Sequence, residues 1–170
     1  MNVLKWLDEN LERVLLLILL GVMTVVIVLQ VFMRYVAQSS LSWSEELARF
    51  CFVWLVYIGI SYGVKKAKHI RVEALLVVLG RKGKYFINMV AHILFLIFAL
   101  YAMYYGFSIY EMIDTSGQRA PSIGIPMSIM YLGMPLGMVL TCIRLIQRMY
   151  FETKMFKNNE EIIDEDMPKL

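Results

Sequence analysis

VLLLILLGVMTVVIVLQVFM, residues 14–33, is a run of twenty residues with no charge, and Thr24 and Gln30 carry its only polar side chains. An α-helix rises about 1.5 Å per residue, so about 20 apolar residues cross a hydrocarbon core of about 30 Å. Arg13 and Arg34 stand at the two ends of the run. Outward from it, three more charge-free stretches follow: Phe50–Val64, Tyr85–Tyr110 and Ala120–Ile143. Together the four make up half of the 170 residues, so all 17 Lys and Arg and all 14 Asp and Glu fall in the other half. The hydrophobic share is 59%, against about 45–50% in a soluble domain. This segregation excludes a disulfide-stapled secreted domain, a nucleic-acid-binding module and a soluble enzyme. It predicts an all-α membrane protein with four transmembrane helices, at about 14–34, 47–66, 85–108 and 122–143. Residues 1–156 then form a single membrane domain, and 157–170 an acidic, disordered tail.

The first span reads as a retained anchor. The residues before it carry Asp8, Glu9 and Glu12 against Lys5 and Arg13. Its apolar core exceeds the roughly 7–15 residues of a signal peptide, and no A-x-A-like site follows it. Lys and Arg divide unequally between the two sides of a four-span topology. Fourteen fall on the side of the termini and the Lys65–Lys84 loop; only Arg34, Arg49 and Arg119 fall on the other. The bias predicts both termini in the cytoplasm. Cys51 and Cys142 then sit near opposite surfaces, too far apart for a disulfide.

Between the spans, Ser42-Trp43-Ser44-Glu45 has capping-box spacing, and Glu45 and Arg49 are placed for an i, i+4 ion pair. The functional alternative is an outer-surface docking patch of Arg34, Glu45 and Glu46. Ile70–Leu79 is apolar but too short to cross, and seven basic residues flank or join it: Lys65, Lys66, Lys68, Arg71, Arg81, Lys82 and Lys84. That pattern predicts a short interfacial amphipathic segment held by anionic phospholipids. Gly59 with Gly63, and Gly133 with Gly137, are GxxxG pairs, which let helix backbones approach closely in lipid. Pro135 is expected to kink the fourth span and free a carbonyl for a neighbouring helix. Tyr101, Tyr104, Tyr105 and Tyr110 suit an aromatic belt.

Strongly polar side chains well inside the spans are limited to Gln30, Asn88 and His92. No acid is expected there to hold a sodium ion or a proton, and no inverted repeat builds a midplane site. Asn88 and His92, four apart, are expected to form an amide–imidazole hydrogen bond that fixes helix packing, in preference to a haem ligand or proton relay. No catalytic, metal or cofactor motif occurs.

The blocks Trp43-Ser-Glu45-Glu46-Leu-Ala-Arg49, Trp54 to Gly59, His69-Ile-Arg-Val-Glu73 and Gly117-Gln118-Arg119-Ala-Pro121-Ser-Ile-Gly124-Ile-Pro126, with Tyr131 and Pro135 after them, come in the order of one family. In these the chain resembles the DctQ-type small membrane subunit of tripartite ATP-independent periplasmic (TRAP) transporters, over roughly Val14 to Arg148. Gly117–Pro126 is the most specific block; Glu73 stands where aspartate is more usual. The resemblance implies a subunit of the bacterial inner membrane, with no cofactor of its own, paired 1:1 with a large multi-span subunit. That subunit carries an organic acid inward with sodium ions, after a periplasmic binding protein delivers it. Sialic acid is favoured over C4-dicarboxylate as the solute. The small subunit would be a static scaffold, and Arg34, Trp43, Glu45, Glu46, Arg49, Gln118, Arg119, Pro121 and Pro126 would face the binding protein. The alternative is a membrane anchor subunit of a respiratory or redox complex, with a haem or quinone near His92. A self-contained exporter would need a membrane-embedded acid.

Overall fold

The structure is a computed structural model that describes residues 3–66 and 81–158, with side chains over 10–66 and 82–158. The expected interfacial segment at 70–79, Lys68, Arg71, the side chain of Arg81 and the tail from residue 159 onward lie outside the described residues. Helices α1 (Val3–Tyr35), α2 (Ser42–Lys65), α3 (Arg81–Thr115), α4 (Ser128–Tyr131) and α5 (Gly133–Lys157) account for most of it. Among the described residues, four helical segments are long and apolar enough to cross a membrane: Asn10–Tyr35, Ser42–Lys65, Lys82–Thr115 and Ser128–Lys157. Among the described residues the one extended pairing is an isolated antiparallel bridge, Arg119 to Pro126.

The packing order differs from the chain order. α1 lies on α2, α2 on α5, and α5 on α3. α1 touches its neighbour along a single seam. Between Glu12 and Tyr35 its covered residues are Glu12, Leu16, Leu19, Met23, Val26, Gln30 and Met33, alternating steps of four and three as one helix seam requires. From Val14 to Phe32 the other residues of that helix, all apolar but Thr24, are exposed. This is the solvent relation that a bilayer permits and water does not. α1 ends where Gln38 takes a positive φ of 50° and the Ser39 N–H returns to the Met33 carbonyl at 3.0 Å.

The core gathers around α5. Met138, Cys142 and Leu145 pack with Val64 of α2 and with Ala99 and Ala102 of α3. Ala99, Ala102 and Gly106 give α3 a small-residue stripe, so its backbone comes close. A Cβ on Gly106 would stand 3.2 Å from Pro135 Cδ. On the other side of α5 the Gly133 and Gly137 pair receives α2: Trp54 lies over Gly133, and Tyr57 over Gly137. Small residues let dispersion forces act at short range where lipid removes the hydrophobic drive between helices.

Three expectations are corrected. Residues 122–127, read as the start of the fourth span, form a hairpin loop; the helical segment begins at Ser128 and runs to Lys157. The cause is local, because Gly124 holds φ +76° and the chain pairs with itself across Arg119 and Pro126. The capping box is also absent. Leu41 is the N-cap of α2, with no side-chain cap bond, because the helix already includes Ser42 and the Ser44 hydroxyl donates to the Leu41 carbonyl. The third concerns the pair Gly59 and Gly63, which was expected to draw a second backbone close. A Cβ on Gly59 would meet Leu16 of α1 at 3.9 Å, an ordinary side-chain contact. Gly63, one turn on, is only half-buried near the end of α2. The seam residue that α1 brings to Gly59 is a leucine, whose bulk holds the two backbones apart. Of Gly59, Gly106, Gly133 and Gly137, the last three are closely approached, Gly133 and Gly137 on one flank of α5 and Gly106 against the other.

The fourth segment breaks at Leu132, which places Pro135 in the first turn of α5 where a missing N–H costs little. Beside the break, Trp54 Nε1 donates to the Ile129 carbonyl at 3.1 Å.

Candidate functional site

One end of the array brings together the start of α1, the end of α2, the start of α3 and the last half of α5. Glu12 of α1 is fully buried there. Its Oε1 accepts from Arg144 Nε of α5 at 2.7 Å and from Ser61 Oγ of α2 at 2.9 Å. Lys65 Nζ stands 3.4 Å from Oε2. Arg144 also donates through Nη1 to Gln147 Oε1 at 2.8 Å. One carboxylate thus ties three helices.

A second carboxylate serves the other flank of α5. Glu152 is fully buried and accepts from Arg148 Nε at 2.8 Å, one turn earlier. Its Oε1 also lies 3.2 Å from His92 Nε2 of α3. Tyr85 extends the same junction: its hydroxyl is 3.1 Å from Thr153 Oγ1, and its ring stacks on Phe156 at 4.3 Å. Isolated charges at such burial are strongly unfavourable, whereas matched and hydrogen-bonded ones persist.

These contacts overturn two expectations. The acids Glu12 and Glu152, which lie outside the four charge-free runs, are each matched to an arginine. No hydrogen bond joins His92 to Asn88; Asn88 is buried beside it, while the imidazole reaches Glu152. Lys65 does not extend outward to lipid but turns to Glu12, with its side chain 12% exposed. Lys66 and Lys84 are half-buried, and Lys82 is exposed. Sequence reasoning missed Glu12, Arg144, Arg148 and Glu152 because their charges stand at or beyond the ends of apolar runs, and Ser61 because a lone hydroxyl inside a span names no partner. The spacing of Arg144, Arg148 and Glu152, four apart on one face of a helix, was the available signal.

At the opposite end, the start of α2 meets the hairpin that follows α3. The hairpin of residues 117–127 is closed by Ala120 N–H to the Ile125 carbonyl at 2.9 Å and Met127 N–H to the Gln118 carbonyl at 3.0 Å. Arg119 Nη1 donates to the Gly124 carbonyl at 3.1 Å. Glu46 of α2 reaches over and accepts at one carboxylate oxygen from Ser122 N–H (3.0 Å) and Ile123 N–H (3.1 Å). It braces the hairpin and is not a free docking group. Arg34, Trp43, Glu45, Arg49, Gln118, Arg119, Pro121 and Pro126 remain exposed, and Glu45 pairs with Arg49 at 3.5 Å as its spacing suggests. Glu46→Ala should release the brace. Hydrogen exchange at Ser122 and Ile123 is then expected to quicken by roughly tenfold or more, as loss of a charge-assisted pair worth about 1.5–3 kcal/mol would produce. Unchanged protection would assign the hairpin's position to its own turns.

The family model of the DctQ component of tripartite ATP-independent periplasmic transporters matches residues 23–154. The isethionate TRAP transporter permease protein DctMQ of Oleidesulfovibrio alaskensis is 27% identical over 152 residues, which cover 86% of this chain and 24% of that protein. A candidate TRAP transporter small permease protein of Haemophilus influenzae is 30% identical over 132 residues, covering 78% of each. The ectoine TRAP transporter small permease protein TeaB of Halomonas elongata is 27% identical over 140 residues, covering 81% and 72%. The chain therefore spans about a quarter of the isethionate permease and most of the other two. The names of the relatives differ in solute. The match begins on the α1 seam, crosses the braced hairpin and ends in the last turn of α5. The chain belongs to the DctQ family of small TRAP transporter permease subunits: a multi-pass inner-membrane protein, a transport component and not an enzyme, whose family implies a large membrane partner.

Proposed function

We propose that this subunit is the static, non-catalytic scaffold of a sodium-coupled TRAP importer of an organic acid. It pairs 1:1 with the large subunit, which holds the sodium ions and the solute, and it anchors that subunit in the bilayer. The reading rests on one observation: each buried carboxylate among the described residues is engaged by cationic or imidazole groups, Glu12 by Arg144 and Lys65, Glu152 by Arg148 and His92. Groups that could have held cargo or an ion instead tie helix to helix. A transport subunit whose polar atoms are committed in this way resists deformation and leaves the movement to its partner. The lysine-rich end faces the cytoplasm and meets anionic lipids, in keeping with the bias of Lys and Arg. The braced hairpin end faces the periplasm and orients the loaded binding protein.

Reconstitution tests this. Vesicles holding both membrane subunits, with the binding protein outside and an inward sodium gradient, should accumulate one solute from a panel of sialic acid, C4-dicarboxylate, isethionate and ectoine. Vesicles holding this chain alone should accumulate none, and uptake by them would overturn the proposal. The docking face is tested by Glu45→Lys with Arg119→Glu, leaving Glu46 intact because it holds the hairpin. Slower uptake with unchanged co-purification of the two membrane subunits is expected, and normal uptake would remove the docking role.

A further inference from the structure

α5 divides its basic residues between two faces. Arg144 and Arg148 point inward and meet carboxylates. Lys154 and Lys157 are exposed, and no acid among the described residues pairs with them. They continue an outward stripe in which Leu136, Ile143, Ile146 and Tyr150 are exposed to 39%, 47%, 58% and 70%. From Ile143 to Lys157 the face passes from aliphatic to aromatic to cationic over about 21 Å of helix.

α3 runs the opposite way and makes the same transition at the same level. There Lys82 and Lys84 precede Tyr85 and the exposed Phe86. The Tyr85–Thr153 contact and the Tyr85–Phe156 stack set the two transitions side by side. Aromatic rings followed by lysines are the arrangement found where hydrocarbon gives way to head groups. Arg144 lies about 15 Å deeper along α5 than Lys154. At that depth Arg144, Glu12 and Lys65 are buried against one another, as hydrocarbon requires. The buried ion pairs and the bare lysines are therefore two consequences of one boundary.

We infer that Tyr150, Lys154 and Lys157 form a docking surface for an anionic phospholipid on the outward face of α5, its head group at the lysines and its acyl chains along Ile146 and Ile143. Phosphate and ammonium supply the charge complementarity, and the tyrosine fixes the depth. The inference deepens the lipid part of the proposed function, which rests on the Lys65–Lys84 region, by adding a site on a different helix. A face covered by lipid in this way is closed to the large subunit.

The test uses the full chain in vesicles of phosphatidylcholine and phosphatidylglycerol at three to one, then counts lipids retained after mild detergent extraction. K154Q/K157Q should retain several-fold less phosphatidylglycerol, with phosphatidylcholine and the thermal midpoint unchanged. Lysines serving only the helix dipole would instead lower the midpoint and leave lipid retention as it was, and that result overturns the inference. Retention lost with K82Q/K84Q but kept with K154Q/K157Q would also overturn it while leaving the loop anchors standing. A Tyr150→Trp variant adds a second readout. Quenching by lipids brominated near the head group, above the native tryptophan signal, is expected; no quenching would mean that protein covers the face, and the docking surface falls.

Discussion

Gly137→Ala is expected to force α2 and α5 apart and to give the largest fall in thermal stability of any single methyl added to this chain. A Cβ on Gly137 would lie 2.5 Å from Tyr57 Cβ and 2.9 Å from both the carbonyl carbon and oxygen of Tyr57. Those atoms belong to the backbone or sit at the root of the side chain, so no rotamer change relieves the clash. Carbon atoms rest at about 3.5–4.0 Å, and the two helices must separate by roughly 1 Å to reach it. Overpacking of this kind costs about 1–3 kcal/mol, and here separation also strains the Trp54 to Ile129 hydrogen bond on the same interface. The glycines provide their own controls. Gly133→Ala would meet the Trp54 ring at 3.4 Å, and Gly106→Ala would meet Pro135 at 3.2 Å, so intermediate losses are expected. Gly21→Ala has nothing within 4 Å. Its effect should be neutral or a gain of up to about 1 kcal/mol from helix propensity. Melting in detergent, read by loss of the monodisperse peak, should rank Gly137 below Gly106 and Gly133, and those below Gly21. A Gly137 variant that melts with the wild type would show that α2 and α5 are not held by this contact.

The same residues show what sequence could and could not reveal. Both GxxxG pairs were visible as spacing, yet spacing names no partner. Gly133 and Gly137 receive α2, whereas Gly59 of the Gly59 and Gly63 pair meets only the tip of Leu16 on α1, at 3.9 Å from where its Cβ would stand. Gly106 has no glycine at the matching interval, and its role appears only when Pro135 is brought against it. The four spans were legible because hydrocarbon demands apolar length, and a charge-free run of twenty residues has few other uses. The ion pairs were not legible for the same reason. A residue such as Glu12 beside Arg13, or Arg144 just past Ile143, reads as a span boundary, and only the packing order shows that these flanks face inward. The packing order is itself a long-range property, since α5 sits between α2 and α3 although it comes last in the chain. Pattern reading gave Glu45 its partner correctly because that pair is local. It gave Glu46 a docking role because the backbone amides it holds lie 76 and 77 residues away.

Glu12→Ala is expected to loosen α1 from the rest of the array, and the reason lies in where the helix is tied. α1 meets α2 along one apolar seam in a solvent as apolar as the seam itself, so packing alone gives little preference for protein over lipid. A polar tie is supplied by the Glu12 carboxylate, which reaches past α2 to Arg144 at 2.7 Å while Lys65 approaches from α2 at 3.4 Å. Removing one partner of a buried pair typically costs about 3–5 kcal/mol, because the remaining charges stay buried without it. Arg144 and Lys65 would both lose this carboxylate, so a loss within that range is expected. Glu12→Leu combined with Arg144→Leu should recover much of the loss, since apolar groups of similar size often replace a buried pair at small net cost. The exchange Glu12→Arg with Arg144→Glu should not recover it. Lys65 would then stand against an arginine on α1, and Ser61 would lose the acceptor it now uses. That failure separates a tie of defined geometry from simple charge balance. Thermal midpoints of the wild type and these three variants in one detergent decide the matter. An exchanged pair as stable as the wild type would mean that any opposite charges suffice here and that Lys65 takes no part, while a Glu12→Ala protein of normal stability would mean that α1 is held by its seam alone.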